Sequence, residues 1–131
     1  MATEVLVNDG GAPARILPFT ASAAVSAGMT VEMHTDSKIR RDAGAASKKV
    51  VGFALTDAVA DGPASIITGK GVLLNLQVTG AVTVGGTLMV DAGGAATLGV
   101  LKAGTTAGAI VAQSLEQGTG TGIRMVKCLT M

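Results

Sequence analysis

The sequence predicts an all-β fold: a single small β-sandwich or barrel built from two pseudo-symmetric repeats, with room for one short helix. Three observations lead there. Short runs of Val, Ile and Thr are punctuated at close intervals by Gly, Asp, Asn and Ser, which is the spacing of strands and turns. Few windows hold apolar residues at i, i+3 and i+4 without an intervening glycine, so the helical period is poor. Finally, "AAVSAGMTVEM" (23–33) returns as "GAVTVGGTLMV" (80–90).

The elements follow in order. A short strand is expected at 4–7. "ARILPF" (14–19) comes next, and Pro18, which lacks an N–H, marks it as an edge. "MTVEMH" (29–34) alternates, with Val31 and Met33 on one face and Thr30, Glu32 and His34 on the other. "KKVVGFAL" (48–55) is apolar from Val50 onward. "ASIITG" and "GVLLNLQV" carry the chain from 64 to 78, broken at Gly69-Lys70-Gly71. Strands at 86–91, 108–115 and 122–129 complete the set. The alanine-rich pieces at 21–24 and 43–46 are where a helical turn has room.

The repeat extends beyond its opening phrase. Residues 24–33 match 81–90 at an offset of 57, and 51–55 match 111–115 at an offset of 60. At that second offset Gly62 meets Gly122, and "SIIT" (65–68) meets "MVKC" (125–128). The change of offset calls for three extra residues between Val90 and Ile110, for which "LGVLKAGTTAG" is the natural home. The expected organisation is one domain over 1–131, with an N-terminal arm of edge strands (1–20), a first repeat (21–79) and a second (80–131). Four glycines are expected to shape turns: Gly28 and Gly85, in tight turns suited to positive φ, and Gly62 and Gly122, before each returning strand.

Composition narrows the function. With two phenylalanines, no Trp, no Tyr and 19 glycines, the core is built from small side chains, since aromatics normally supply the largest buried areas. Such a core gains from burial against another copy or a partner. A net charge of +1 gives no basis for specific nucleic-acid binding, which needs many phosphate-neutralising cations. The local cluster Lys38, Arg40, Arg41, Lys48 and Lys49 reads as a solvated loop. No stretch has the sustained apolarity of a membrane-spanning helix. The first residues carry no basic leader, so the chain is expected to be made and kept in the cytosol until it assembles with something.

Four phrases, "AAVSAGMTVEM", "VVGFALTDAVADGPASIITGKGVL", "GAVTVGGTLMVDAGG" and "AIVAQSLEQGTGTGIRMVKC", occur in that order. Together they resemble the small head-decoration, or capsid cement, proteins of tailed bacteriophages, over most of the chain from Val5 to Leu129. The shared features are glycine spacing and small apolar residues. The acidic residue usual after each launch glycine is replaced by Met29 and Gly86, and another by Pro63. The resemblance implies a structural virion protein on the outer surface of the mature capsid, with the major capsid protein and its own copies, as a homotrimer, for partners. Val5, Val7, Arg15, Ile16 and Phe19 are the candidate capsid contacts, because this segment lies mostly outside the repeat and has the character to add a strand to a neighbour. The bland alternative is that it forms edge strands of its own domain.

Catalytic, cofactor and metal chemistry find no support. His34 and Cys128 are the sole His and Cys; they form no metal-ligand spacing and fall on unrelated strands. The acidic residues, Asp57 and Asp61 included, are scattered over turns without an acid–base pair. "QGTGTGIRM" (117–125) lacks the following helix of a phosphate loop and reads as a hairpin loop. Lys70, on a glycine-flanked tip, raises one alternative from another class, a biotinyl- or lipoyl-type carrier domain, although its flanks do not match carrier motifs. The nearer alternative is another virion component, a tail or fibre-base β module.

Overall fold

A computed structural model describes residues 5–8, 15–41, 50–90, 98–105, 110–120 and 122–131. Eleven strands run in order: β1 (Leu6–Asn8), β2 (Arg15–Ala21), β3 (Thr30–Thr35), β4 (Lys38–Arg41), β5 (Val50–Ala54), β6 (Pro63–Thr68), β7 (Leu73–Val78), β8 (Thr87–Val90), β9 (Leu101–Ala103), β10 (Ile110–Ser114) and β11 (Arg124–Thr130). No helix occurs among the described residues. Ala21 ends β2 and Ser22–Ala23 bend away; residues 43–46, the other place with room for a helical turn, lie outside the described set.

Each repeat makes its own five-stranded ring. The first is the closed barrel β2-β4-β3-β5-β6. The second runs β7-β11-β10-β8-β9 and returns to β7 through a β7–β9 pairing, with β1 added on β7. Every ladder of the first ring recurs in the second. Ala21 pairs with Ile39 in parallel as Val78 pairs with Leu101; Val31 meets Arg41 as Leu88 meets Ala103. Thr30 meets Phe53 as Thr87 meets Gln113, and both ladders then slip by one residue at the same point. Bridges outside the strands recur too, Val25 with Ala58 and Val82 with Gly118.

These registers correct the repeat drawn from sequence. The 57-residue offset holds for β2 to β7 and β3 to β8, and the 60-residue offset for β5 to β10. The last strand is offset by 62: Phe19 pairs with Ala64 where Leu76 pairs with Val126. "SIIT" therefore corresponds to 127–130, not 125–128, and Gly62 and Gly122 are not equivalent. The sheets divide between Thr68 and Leu73, since β7 hydrogen-bonds within the second ring. Likewise β2, which Pro18 marked as an edge, is bonded on both sides, to β6 and, from Thr20 onward, to β4.

The two cores match at most positions. One cluster gathers Ala21, Val25, Val31, Ile39, Ala54, Ala58, Ala64 and Ile66 with Phe19 and Met33. The other holds the counterparts of eight of these, Val78, Val82, Leu88, Leu101, Val126, Cys128, Leu76 and Val90, and adds Val5, Val72 and Leu74; Ala54 and Ala58 correspond to the buried Ser114 and to Gly118. Alanine lines four buried places in the first barrel, so that core is small in volume as well as poor in aromatics. Phe53 and Ile67, both buried, belong to the larger cluster instead. They point out of the first barrel and into the contact with the second.

Gly28 and Gly85 have φ of +85° and +80°, as their launch turns require. Their surroundings differ. A Cβ at Gly28 would lie 2.8 Å from Met125 Cε and 3.3 Å from the Asn75 carbonyl, whereas one at Gly85 would meet only the Gln113 amide, at 3.9 Å. We expect Gly85→Ala to cost about 1 kcal/mol, the left-handed backbone penalty. Gly28→Ala should cost about 3 kcal/mol, because crowding at the junction adds to it. Urea denaturation of the two variants measures the difference.

Candidate interaction surface

The two barrels are joined through a gap in one ladder. In the first barrel the parallel β2–β4 ladder has two rungs, Thr20 with Lys38 and Ala21 with Ile39. In the second, β7–β9 keeps only Val78 with Leu101; the rung Gln77–Val100 is not made. The launch turn of the first barrel fills that gap. Gln77 N–H donates to Gly28 O at 2.9 Å, Thr30 N–H donates to Gly99 O at 2.8 Å, and the Gln77 amide donates to Ala27 O at 2.9 Å. Ala27, Val50 and Leu55 pack against the larger core cluster beside them. Paired backbone groups and apolar flanks together make this a seam that excludes water from its own hydrogen bonds.

The N-terminal candidates do not form one surface. Val5 is 2% exposed and its carbonyl accepts the Asn75 N–H at 2.7 Å, so its side chain is unavailable to a partner. Val7 lies in β1, which pairs with β7; its side chain is outside the described set. Phe19 is half-buried against the smaller core. Arg15 and Ile16 stand exposed at the start of β2. The segment supplies strands to its own sheets: β1 adds to the β7 edge beside the seam, and β2 closes the first barrel.

The turn glycines are placed as follows. Gly28 sits inside the seam, and Gly85 at the matching exposed turn of the second barrel. Gly62 precedes β6, and its carbonyl accepts the Ala21 N–H at 2.9 Å; the positive φ there belongs to Asp61. Gly122 lies in the turn before β11, its carbonyl accepting from Arg124, whose other terminal nitrogen donates to Gly80 O at 2.6 Å.

Four charged residues of the first barrel form ion pairs. Lys38 pairs with Asp61 at 3.3 Å, and Arg40 with Glu32 at 2.9 Å. Arg40 faces Glu32 across β3 and β4, and that guanidinium compensates a carboxylate that is 3% exposed and otherwise expensive to bury. Asp57 accepts the Ala27 N–H at 2.7 Å and so braces the seam turn. Lys48 and Lys49 lie outside the described residues. His34 is exposed on the first barrel and Cys128 buried in the second. Lys70 stands exposed on its glycine turn. Among the described residues no three His, Cys, Asp or Glu side chains gather as metal ligands, and no helix is long and apolar enough to cross a membrane.

One exposed apolar pair went unnoticed in the sequence. Val84 is 65% exposed and Leu115 37%. They are the counterparts of Ala27 and Leu55, the residues that flank the seam. Hydrogen bonds from Gly85 N–H to Ser114 O and from Ser114 N–H to Gly86 O, both 2.8 Å, hold the two segments side by side. The repeat carried this signal, but it could be read only once the first copy's turn was known to be a contact.

The fold defines a class: two five-stranded barrels in tandem, joined by a turn of one inserted in a ladder of the other. No protein-family model matches the chain, and no curated protein does. Among solved structures it is similar to the head fiber gp8.5 N base of bacteriophage phi29, with a TM-score of 0.65 and 11% identity over 91% of this chain and 95% of that one. At that identity the likeness is one of fold.

Burial, chiefly, pushes the Cys128 thiol from 9.0 up to about 12, with Glu116 adding to the rise. Because the unfolded chain releases this proton at lower pH than the native one, the thiol's contribution to stability is complete below pH 9 and is lost as pH rises toward 12. Native protein at pH 8 should leave Cys128 unmodified by iodoacetamide, and protein in guanidinium should react fully. Mass spectrometry reads both.

Proposed function

We propose that the chain is a structural protein of a tailed-bacteriophage virion, which decorates and stabilises the outside of the mature head as an oligomer. The observation that carries this is the fold shared, over nearly the whole of both chains, with the base of a phage head fibre. It agrees with the resemblance of the sequence to head-decoration proteins. The proposed partners are the major capsid protein and further copies of the chain, a trimer by that resemblance. The work is mechanical rather than catalytic: a protein that binds only the expanded shell stabilises that shell by mass action.

The same structural likeness favours a second reading, that the chain is a fibre-base module. Co-sedimentation with heads of the source phage, expanded and unexpanded and stripped of the endogenous copy, separates the two. A decoration protein should saturate expanded heads at a stoichiometry set by the shell lattice and raise the temperature at which they release DNA. A fibre base should fill few sites and leave that temperature unchanged. Absence of binding to either form would overturn both. For the carrier alternative at Lys70, native protein should show no added mass.

A further inference from the structure

The seam is built once, yet the repeat supplies its insert twice. In the first barrel the 27–30 turn offers Ala27 O, Gly28 O and Thr30 N–H to the gapped edge of the second barrel. The second barrel carries the same turn at 84–87, with the same positive φ at its glycine and the same hydrogen bonds anchoring it to the following strand: Gly28 N–H to Ala54 O, and Gly85 N–H to Ser114 O. One flank is more apolar than the first copy's, Val84 in place of Ala27, and the other is unchanged, Leu115 in place of Leu55. They are exposed, and Gly85 O is covered only by the Gln113 side chain, which donates from an exposed position at 3.0 Å. Gln113 thus does within one barrel what the backbone of Gln77 does across two.

We infer that the 84–87 turn with Val84 and Leu115 is a docking surface for a partner protein that presents a gapped β-sheet edge, an N–H and a C=O side by side with an apolar side chain against the glycine. That is the chemistry the first copy meets in Gln77 N–H, Gly99 O and Met125. Among the described residues a second copy of this chain does not supply it. Its β7 gap is already filled by its own first barrel, and its β2–β4 ladder has both rungs closed. Pro18 stands where Asn75 donates to Val5, and it has no N–H to offer. The occupant is therefore a different chain. On the proposed function it is a protein of the head shell, with the 84–87 turn displacing the Gln113 amide and inserting into its sheet edge.

Because this inference rests on the proposed function, the experiment must separate the two. Wild type, V84D/L115D, V59D and M131D are titrated onto stripped expanded heads. Val59, 71% exposed on a loop of the first barrel, and Met131, 55% exposed after β11, control for apolar exposure elsewhere. The expected result is binding at least tenfold weaker for V84D/L115D and within twofold of wild type for the controls, with melting temperature and oligomeric state by sedimentation velocity unchanged. Should V84D/L115D melt lower than wild type, V84S/L115S carries the test. Wild-type binding retained by the double variant would overturn the docking surface alone. Dispersal of an oligomer by the double variant would also overturn it, by making a second copy the occupant. No binding by wild type would overturn the proposed function, and this assignment with it.

Discussion

The missing rung between β7 and β9 is the constraint on which the architecture depends. A five-stranded ring closes only if its first and third strands pair in parallel, and in the second barrel that closure rests on Val78 and Leu101 alone. Left to itself, the gap would expose Gln77 N–H and Gly99 O beside an apolar core, and unpaired backbone groups in such a place are costly. The first barrel removes the cost by inserting Gly28–Thr30. Everything nearby follows from that insertion. Gly28 must lack a Cβ because Met125 and the Asn75 carbonyl close on it, Asp57 must hold the turn by the Ala27 N–H, and Phe53 can be buried on the outside of its own barrel. The second barrel is thus completed by the first, whose Phe53 and Ile67 are buried in the larger core.

Much of this was legible in the sequence, and the parts that were not share a cause. The all-β class followed from turn residues at close spacing, and the repeat from two phrases whose Gly and Thr serve the same turn. Positive φ at Gly28 and Gly85 was foreseeable because a strand launched from a tight turn needs it. What escaped was the same strand in both copies. β4 (KIRR) and β9 (LKA) are short and carry charge on their outer face, so each looks like a solvated linker; only closure of the ring gives them a ladder. Missing them hid the barrel count. It also misplaced the insertions, which fall between β8 and β9 and before β11 rather than in one block. Identical glycines at Gly62 and Gly122 then pulled the last strand two residues out of register, because glycine spacing is cheap to match by chance while hydrogen-bond register is not.

The N-terminal segment shows how context overrides local character. Its apolar alternation suggested a strand in search of a partner, and β1 does find one, but within the chain: the β7 edge left open beside the seam, with Val5 capping the second core. Among the described residues the first barrel has no such addition, and Leu17, the counterpart of fully buried Leu74, is 37% exposed. The same inward position is sealed in one barrel and open in the other because only one of them has a β1.

That asymmetry bears on how a duplicated unit avoids endless growth. Two equivalent domains joined head to tail make a heterologous contact, and a heterologous contact repeated without closure produces fibres. Here the donor end recurs and the acceptor end does not. Two rungs close the β2–β4 ladder, Pro18 withholds an N–H from the edge where β1 sits on the other barrel, and Gln113 replaces Phe53 on the outer face of the second barrel and covers Gly85 O. The proline and the glutamine do not improve the barrels they belong to: proline removes a donor, and glutamine exchanges buried aromatic area for one solvated hydrogen bond. Each is intelligible as a change that keeps copies of the chain from continuing the internal junction. It leaves an insert-shaped turn facing outward, whose complement is not found among the described residues.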